Sequence, residues 1–278
     1  MTAQYDLPKV ILRPARKWQG IDFKELWRYR ELIYFLTWRD IKVRYKQAAL
    51  GVSWALLQPL LTTLISWVVF GILLKVESDG LPYPVFVMSA LMPWHLFATS
   101  LQKSSISLVG NANLLTKIYF PRLIIPVSAI LAVLVDFIIS FFILIVLMLV
   151  YRIAPSWQVL WVIPLTLMAV LTALAVGLWL SALDVQYRDV QHMVPFLVQI
   201  WMYASPIVYP ISTIPEGIFR TLYGLNPMVG VIQGFRWALL GGTPPDLTML
   251  VSVIVVILLL ISGLFYFRRM EKTFADIV

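Results

Sequence analysis

The chain has no cysteine. Disulfides, thiolate nucleophiles and thiolate metal sites are therefore excluded. It has two histidines, His95 and His192, far apart in sequence, so no metal-ligating set and no catalytic residue is expected. Charge is scarce too. Asp, Glu, Lys and Arg make up 13% of 278 residues, against about 25% in an ordinary soluble domain. So little polar surface cannot cover a water-soluble globule, and so apolar a chain is not disordered either. The phosphate-cradling pattern G-x-x-x-x-G-K-[ST] is missing, as are G-x-G-x-x-G, H-E-x-x-H and G-x-S-x-G. The chain therefore has no ATP or dinucleotide cradle of its own. No D-x-D pair for a sugar nucleotide occurs.

What is present is apolar sequence. Hydrophobic residues make up 60% and the mean hydropathy is +0.85. A spanning helix needs about 20 mostly apolar residues. Six runs qualify: 51–74, 81–102, 123–151, 153–183, 190–215 and 247–267. The fourth starts with a loop near Pro155 and Trp157, and the fifth is interrupted by Pro195, Pro206 and Pro210. This is an all-α polytopic membrane protein. It divides into a cytoplasmic N-terminal segment at 1–50, a transmembrane domain at 51–267 and a cytoplasmic tail at 268–278. Between runs five and six, residues 216–246 carry Arg220 and Arg236 and are broken by Gly224, Pro227, Gly230, Gly234, Gly241 and Gly242. A full span there would bury two arginines, so short re-entrant helices are expected.

The charge balance is +8, and it is lopsided along the chain. With six crossings, 18 of the 22 Lys and Arg residues fall on one side and four on the other. The positive-inside rule then puts both termini in the cytoplasm. The first 20 residues are polar and basic, without the apolar core of a signal peptide. Such an excess of positive charge suits cytoplasmic loops and anionic lipid, not nucleic acid.

Residues 22–47 read as an amphipathic helix. Asp22 with Glu25 makes a capping-box-like start. Leu26, Tyr29, Ile33 and Leu36 recur at helical spacing, and Arg39, Lys42 and Lys46 form a basic stripe. Trp18, Trp27 and Trp38 have the rings that settle at head-group depth. The expectation is a helix lying in the interface plane. Two roles remain open: a plain anchor, or a collar that meets an anionic head group or a partner subunit. Asp136 stands alone inside the third run. An intramembrane carboxylate marks either a proton path or a structural hydrogen bond.

Aromatics reach 14%. Many sit at span ends, where membrane proteins concentrate them anyway. Others cluster elsewhere: Trp54, Trp67 and Phe70 on run one, Trp201, Tyr203 and Tyr209 on run five, and Phe219, Tyr223, Phe235 and Trp237 beyond it. A ring with an apolar face and a polar tip suits a sugar. A ladder of weak sites lets a long polar chain slide without sticking.

Several segments together resemble the ABC-2-type permeases, more narrowly those that export O-antigen, capsular polysaccharide and teichoic acid. They are Leu36-Thr-Trp-Arg-Asp-Ile-Lys-Val-Arg-Tyr-Lys through Gln58-Pro59, Asn113-Leu-Leu-Thr-Lys-Ile-Tyr-Phe-Pro-Arg122 and Asp184-Val-Gln-Tyr-Arg-Asp189. Pro195 through Pro210, Asn226-Pro-Met228, Phe265-Tyr-Phe-Arg-Arg269 and Phe274-Ala-Asp276 complete the set. The resemblance covers essentially the whole chain.

The resemblance implies a permease that is not itself an enzyme. It implies six-helix half-transporters paired as a homodimer in the bacterial inner membrane, with two copies of a separate ATP-binding cassette subunit. ATP and Mg²⁺ would be bound by that partner, with no cofactor in this chain. It assigns docking on the partner to Asn111, Asn113 and Lys117 in one loop, and to Asp184, Arg188 and Asp189 in another. It makes the N-terminal helix a gate, where Arg28, Arg39, Lys42, Arg44 and Lys46 would attract the pyrophosphate of an undecaprenyl-linked glycan. Spans one and five would line the conduit, with the aromatic rings as rungs. Two rivals stay open: an ABC-2 exporter of small hydrophobic drugs or lipids, and an ion-coupled transporter using Asp136. A membrane glycosyltransferase lacks any metal or base constellation.

Overall fold

The fold comes from a computed structural model and is described for residues 23–46, 52–215, 217–272 and 274. The expected cap at Asp22, the Trp18 ring, the junction at 47–51 and the tail at 275–278 lie outside the described residues. No strand occurs among the described residues.

Two N-terminal helices, α1 (Phe23–Arg28) and α2 (Arg30–Lys46), precede α3 (Val52–Ser66), which continues into a π-helical stretch, Trp67–Leu73. Next come α4 (Tyr83–Ser105), the short α5 (Ser107–Gly110) and α6 (Ala112–Lys117), and α7 (Ile124–Val150). A 3₁₀ segment, Trp157–Trp161, leads into α8 (Val162–Gln186). Then follow α9 (Val190–Tyr203), α10 (Ile218–Tyr223), α11 (Pro227–Leu240) and α12 (Leu247–Met270).

Among the described residues, five helical stretches are long and apolar enough to cross a membrane: Ser53–Leu73, Tyr83–Ser105, Ile124–Val150, Trp157–Gln186 and Leu247–Met270. They fall on expected runs one to four and six. Run five behaves differently. Its helix, α9, stops after 14 residues, a rise of about 21 Å, short of the hydrocarbon thickness of about 30 Å. Pro206 lacks the N–H that a continuing helix needs. The region expected to re-enter forms α10 and α11, and α11 is buried along nearly its whole length.

α4 is the axis of the bundle, packed by α7, α8, α11, α3 and α9. Small residues let its neighbours come close. A Cβ at Gly177 of α8 would stand 2.1 Å from the Ser104 hydroxyl of α4, and one at Gly263 of α12 would meet the Ala175 carbonyl at 2.5 Å. A second core lies at one end of the bundle. It joins Leu36 of α2, Leu115 and Phe120 of the 106–123 connection, Leu178 and Val185 of α8, and Phe267 and Phe274. There the Arg122 backbone N–H also donates to the Glu271 carboxylate at 3.2 Å. α2 and the end of α12 therefore share one end of the molecule.

Candidate functional site

The collar helix is built from its charges upward. α2 begins near Glu31 and ends with Arg44 and Lys46, which suits the helix dipole. The Thr37 hydroxyl donates to the Ser128 carbonyl of α7 at 3.5 Å. Eight residues on, the Arg44 guanidinium and the Tyr45 hydroxyl both bond the Asp136 carboxylate. Contacts thus advance from 37 to 45 on α2 as they advance from 128 to 136 on α7. α2 runs along the first half of α7 in the same direction. The sequence predicts a helix with a clean apolar face lying flat. Instead its exposed side mixes Tyr34, Phe35, Trp38 and Val43 with Arg39, Lys42 and Lys46, while Asp136 holds Arg44 inward. Burial and then the Asp136 hydrogen bond push the Tyr45 phenol up to about 12, so it stays a neutral donor.

The five basic gate residues divide. Arg44 is spent on Asp136. Arg39 pairs with Asp40 at 2.9 Å and donates to Asn111 Oδ1 at 2.9 Å. Lys42 lies over the Trp38 ring, 5.5 Å from its centroid. With Ile41, Tyr45 and Lys46 these two line an open groove of about 510 Å³. Arg28 is exposed on α1.

The two loops assigned to partner docking differ. Asn111 joins α5 to α6, and its amide donates to the Ser107 carbonyl at 2.8 Å. Asn113 and Lys117 are exposed on α6. In the second loop α8 runs on to Gln186, leaving a turn at 187–189 where Arg188 and Asp189 are exposed. Asp184 departs from the expectation. It is 1% exposed, so its carboxylate is out of a partner's reach.

At the other end, a polar cluster holds the non-helical stretch 204–210. The Arg236 guanidinium, buried on α11, donates to the carbonyls of Ile207 at 2.7 Å and Tyr209 at 3.3 Å. It also stacks 3.6 Å from the Phe86 ring centroid. The Tyr83 hydroxyl takes the Val208 carbonyl at 2.9 Å. Irregular backbone inside an apolar bundle needs such partners. Asn226 caps α11 through the Met228 N–H, accepts the Trp201 indole N–H at 2.7 Å, and donates to Ala204 O and Ser205 Oγ, each at 2.9 Å. All of its hydrogen-bonding capacity is used. The Arg220–Asp246 pair closes at 3.1 Å.

This cluster uses several of the aromatic candidates. Besides its bond to Asn226, Trp201 packs edge-on to Phe97 at 4.8 Å. The Tyr209 and Tyr223 hydroxyls bond at 2.7 Å, and burial pushes the Tyr223 phenol up. Phe70 packs against the main core, and Trp237 lies 6.0 Å from Trp161. Phe235 is wholly buried. Trp54, Trp67, Tyr203 and Phe219 stay exposed. Sequence reasoning missed Tyr83, Asn226 and Arg236 as clamps. The Asn226-Pro227 helix start was a usable signal for one of them.

A bundle of membrane-length helices around a buried α4, with loops that expose polar groups at one end, defines a multi-pass membrane protein. Residues 31–240 match the ABC-2 type transporter family, and the chain belongs to it. It is 34% identical over 253 residues to the O-antigen export system permease protein RfbA of Myxococcus xanthus, spanning 89% of this chain and 96% of that one. The Klebsiella pneumoniae protein of the same name is 30% identical over 249 residues, spanning 89% and 95%. The polysialic acid transport protein KpsM of Escherichia coli is 26% identical over 209 residues, spanning 73% and 79%.

Proposed function

We propose that the chain is the conduit-forming subunit of a bacterial inner-membrane ABC exporter for undecaprenyl-pyrophosphate-linked polysaccharide of the O-antigen type. Two copies wall the conduit, and two copies of a separate ATP-binding subunit supply the energy. The observation that carries this reading is a contrast between bare helix faces. The exposed residues of α7, such as Ile138, Phe142, Val146 and Leu149, are all apolar, and so are those of α12 as far as Phe265. Lipid wants such faces. The bare sides of α3 and α9 are mixed: Gln58 and Trp54 stand among leucines on α3, and Gln191, Gln199 and Tyr203 among Met193, Phe196 and Ile200 on α9. Those faces suit a two-fold partner and a wet path between the copies.

α9, completed by the clamped stretch 204–210, serves as the fifth of six crossings. The shared core of α2 and the end of α12 supports an even number of crossings. The basic excess then puts that end in the cytoplasm. The lipid pyrophosphate is admitted at α2, where Lys42 and Lys46 beside Trp38 offer two cations on one groove. Closure of the ATP-binding subunits moves the loops that carry Asn113, Lys117, Arg188 and Asp189. The dimer interface opens, and the glycan slides over exposed rings toward the periplasmic side.

Reconstitution with the ATP-binding subunit tests this. ATP-dependent movement of lipid-linked glycan into proteoliposomes by a dimer is expected. A monomer that moves cargo without nucleotide overturns the proposal. ATPase activity that answers to small hydrophobic drugs and ignores lipid-linked glycan favours the drug-exporter rival.

A further inference from the structure

Asp136 is the only charged residue of α7 and stands halfway along it. Its carboxylate is occupied from one direction. Arg44 and Tyr45, consecutive residues in the last turn of α2, both donate to it. The Arg44 and Asp136 side chains are 27% and 29% exposed. A carboxylate holding a guanidinium and a phenol through two hydrogen bonds fixes the geometry of both donors. Five residues upstream, Arg39 is bound to Asn111 Oδ1 at 2.9 Å. Asn111 is pinned in turn to Ser107 at the junction of α5 and α6. α2 is thus tied to a membrane-length helix through Thr37 and through Arg44 with Tyr45, and to the loop between α4 and α7 through Arg39.

We infer that Asp136 is a positioning residue: a charge latch that holds the C-terminal end of α2 against α7, so that a shift of Asn111, passed on through Arg39, turns α2 about a fixed point. The residues left on the outer side of α2, Trp38, Lys42 and Lys46, are the ones such a turn carries with it. The link from this turn to export rests on the gate reading proposed above; the latch itself does not.

The absence of native cysteine allows a direct test. Tyr34→Cys on α2 and Val150→Cys at the far end of α7 are both exposed sites. The doubly spin-labelled chain, in lipid nanodiscs with its ATP-binding subunit, reports the α2–α7 distance by pulsed electron resonance. Export and ATP hydrolysis are measured on the same complex. Asp136→Asn and, from the other partner, Arg44→Gln are each expected to broaden the distance distribution and to lower glycan exported per ATP about tenfold. The exchanged pair, Arg44→Asp with Asp136→Arg, restores a narrow distribution and most of the export. This rescue separates a latch from a proton carrier, which would lose its carboxylate in the exchange. An unchanged distribution in Asp136→Asn and Arg44→Gln overturns the latch, whatever happens to export. So does an exchanged pair that stays as broad as the single variants. A distribution that broadens while export per ATP holds steady leaves the latch standing and removes the gate reading.

Discussion

α3 with its π-helical extension and α4 are neighbours in sequence, and each is apolar enough to cross a membrane. Yet the chain buries 17% of the apolar stretch of the first and 89% of that of the second. Apolarity does not predict burial. α4 is the least apolar of the five candidate spans, and α7 and α12, among the most apolar, are left mostly bare. In water the most hydrophobic helix would be expected inside. In lipid, tails are as apolar as leucine, so apolarity by itself gives a helix no reason to be buried. Helices are drawn inside by close packing and hydrogen bonds instead. α4 has both: Tyr83 donates to the Val208 carbonyl and Met88 accepts the Thr63 hydroxyl, and Gly177 of α8 sits against Ser104. α3 has a glutamine and a tryptophan on a bare side, which neither lipid nor this chain explains.

The largest expected effect breaks the comparison from the buried side. Phe86→Ala empties a fully buried site in α4 and removes the ring under Arg236. It should cost about 3–5 kcal/mol, read as a large drop in the thermal midpoint of the detergent-solubilised chain. Leu64→Ala on the bare side of α3 should leave that midpoint within about 0.5 kcal/mol of the parent. Equal losses would mean that α3 is packed within the chain after all.

Arg236→Met comes next. It leaves the Ile207 and Tyr209 carbonyls without their donors, at about 1–3 kcal/mol, and should raise proteolysis or hydrogen exchange at 204–210. Unaltered exchange there would show that the Tyr83 bond suffices. Asn226→Ala loses a helix cap and the indole partner of Trp201, at about 1–2 kcal/mol, read by the same melt. The smallest effect on stability separates two neighbouring rings. Tyr203→Ala, on an exposed ring, should leave the melt unchanged while slowing glycan export several-fold; Trp201→Ala should lower both, since its indole N–H is bound to Asn226. Loss of stability in Tyr203→Ala would reduce that ring to packing.

Much of the fold was legible. Runs one to four and six read directly, because a membrane-length helix needs an uninterrupted apolar stretch and little else. Run five misled for the same reason. Residues 190–215 hold no Asp, Glu, Lys or Arg, yet Arg236 and Tyr83 reward a non-helical backbone at 207–209 with three hydrogen bonds. No local rule reports a donor that lies 27 residues away. The site was legible in part. Asn113, Lys117, Arg188 and Asp189 read as loop residues and are exposed. Asp184 read as a loop residue as well, but α8 extends past it and turns it inward. The two candidate meanings of Asp136 had to wait for Arg44, because a lone intramembrane carboxylate does not name its partner.

The amino-acid order alone determined that this is a membrane protein without a G-x-x-x-x-G-K-[ST] pattern, which stretches are long enough to span, and where along the chain the basic residues accumulate. These follow from local counts, since the bilayer filters length, apolarity and charge one segment at a time. The tertiary structure decided which helix lies at the centre, that α2 runs along α7, which rings and charges are already taken by the protein, and where the chain gives up helix at 204–210. Each of these depends on a partner distant in sequence, and in an apolar surrounding a polar group settles wherever its partner is.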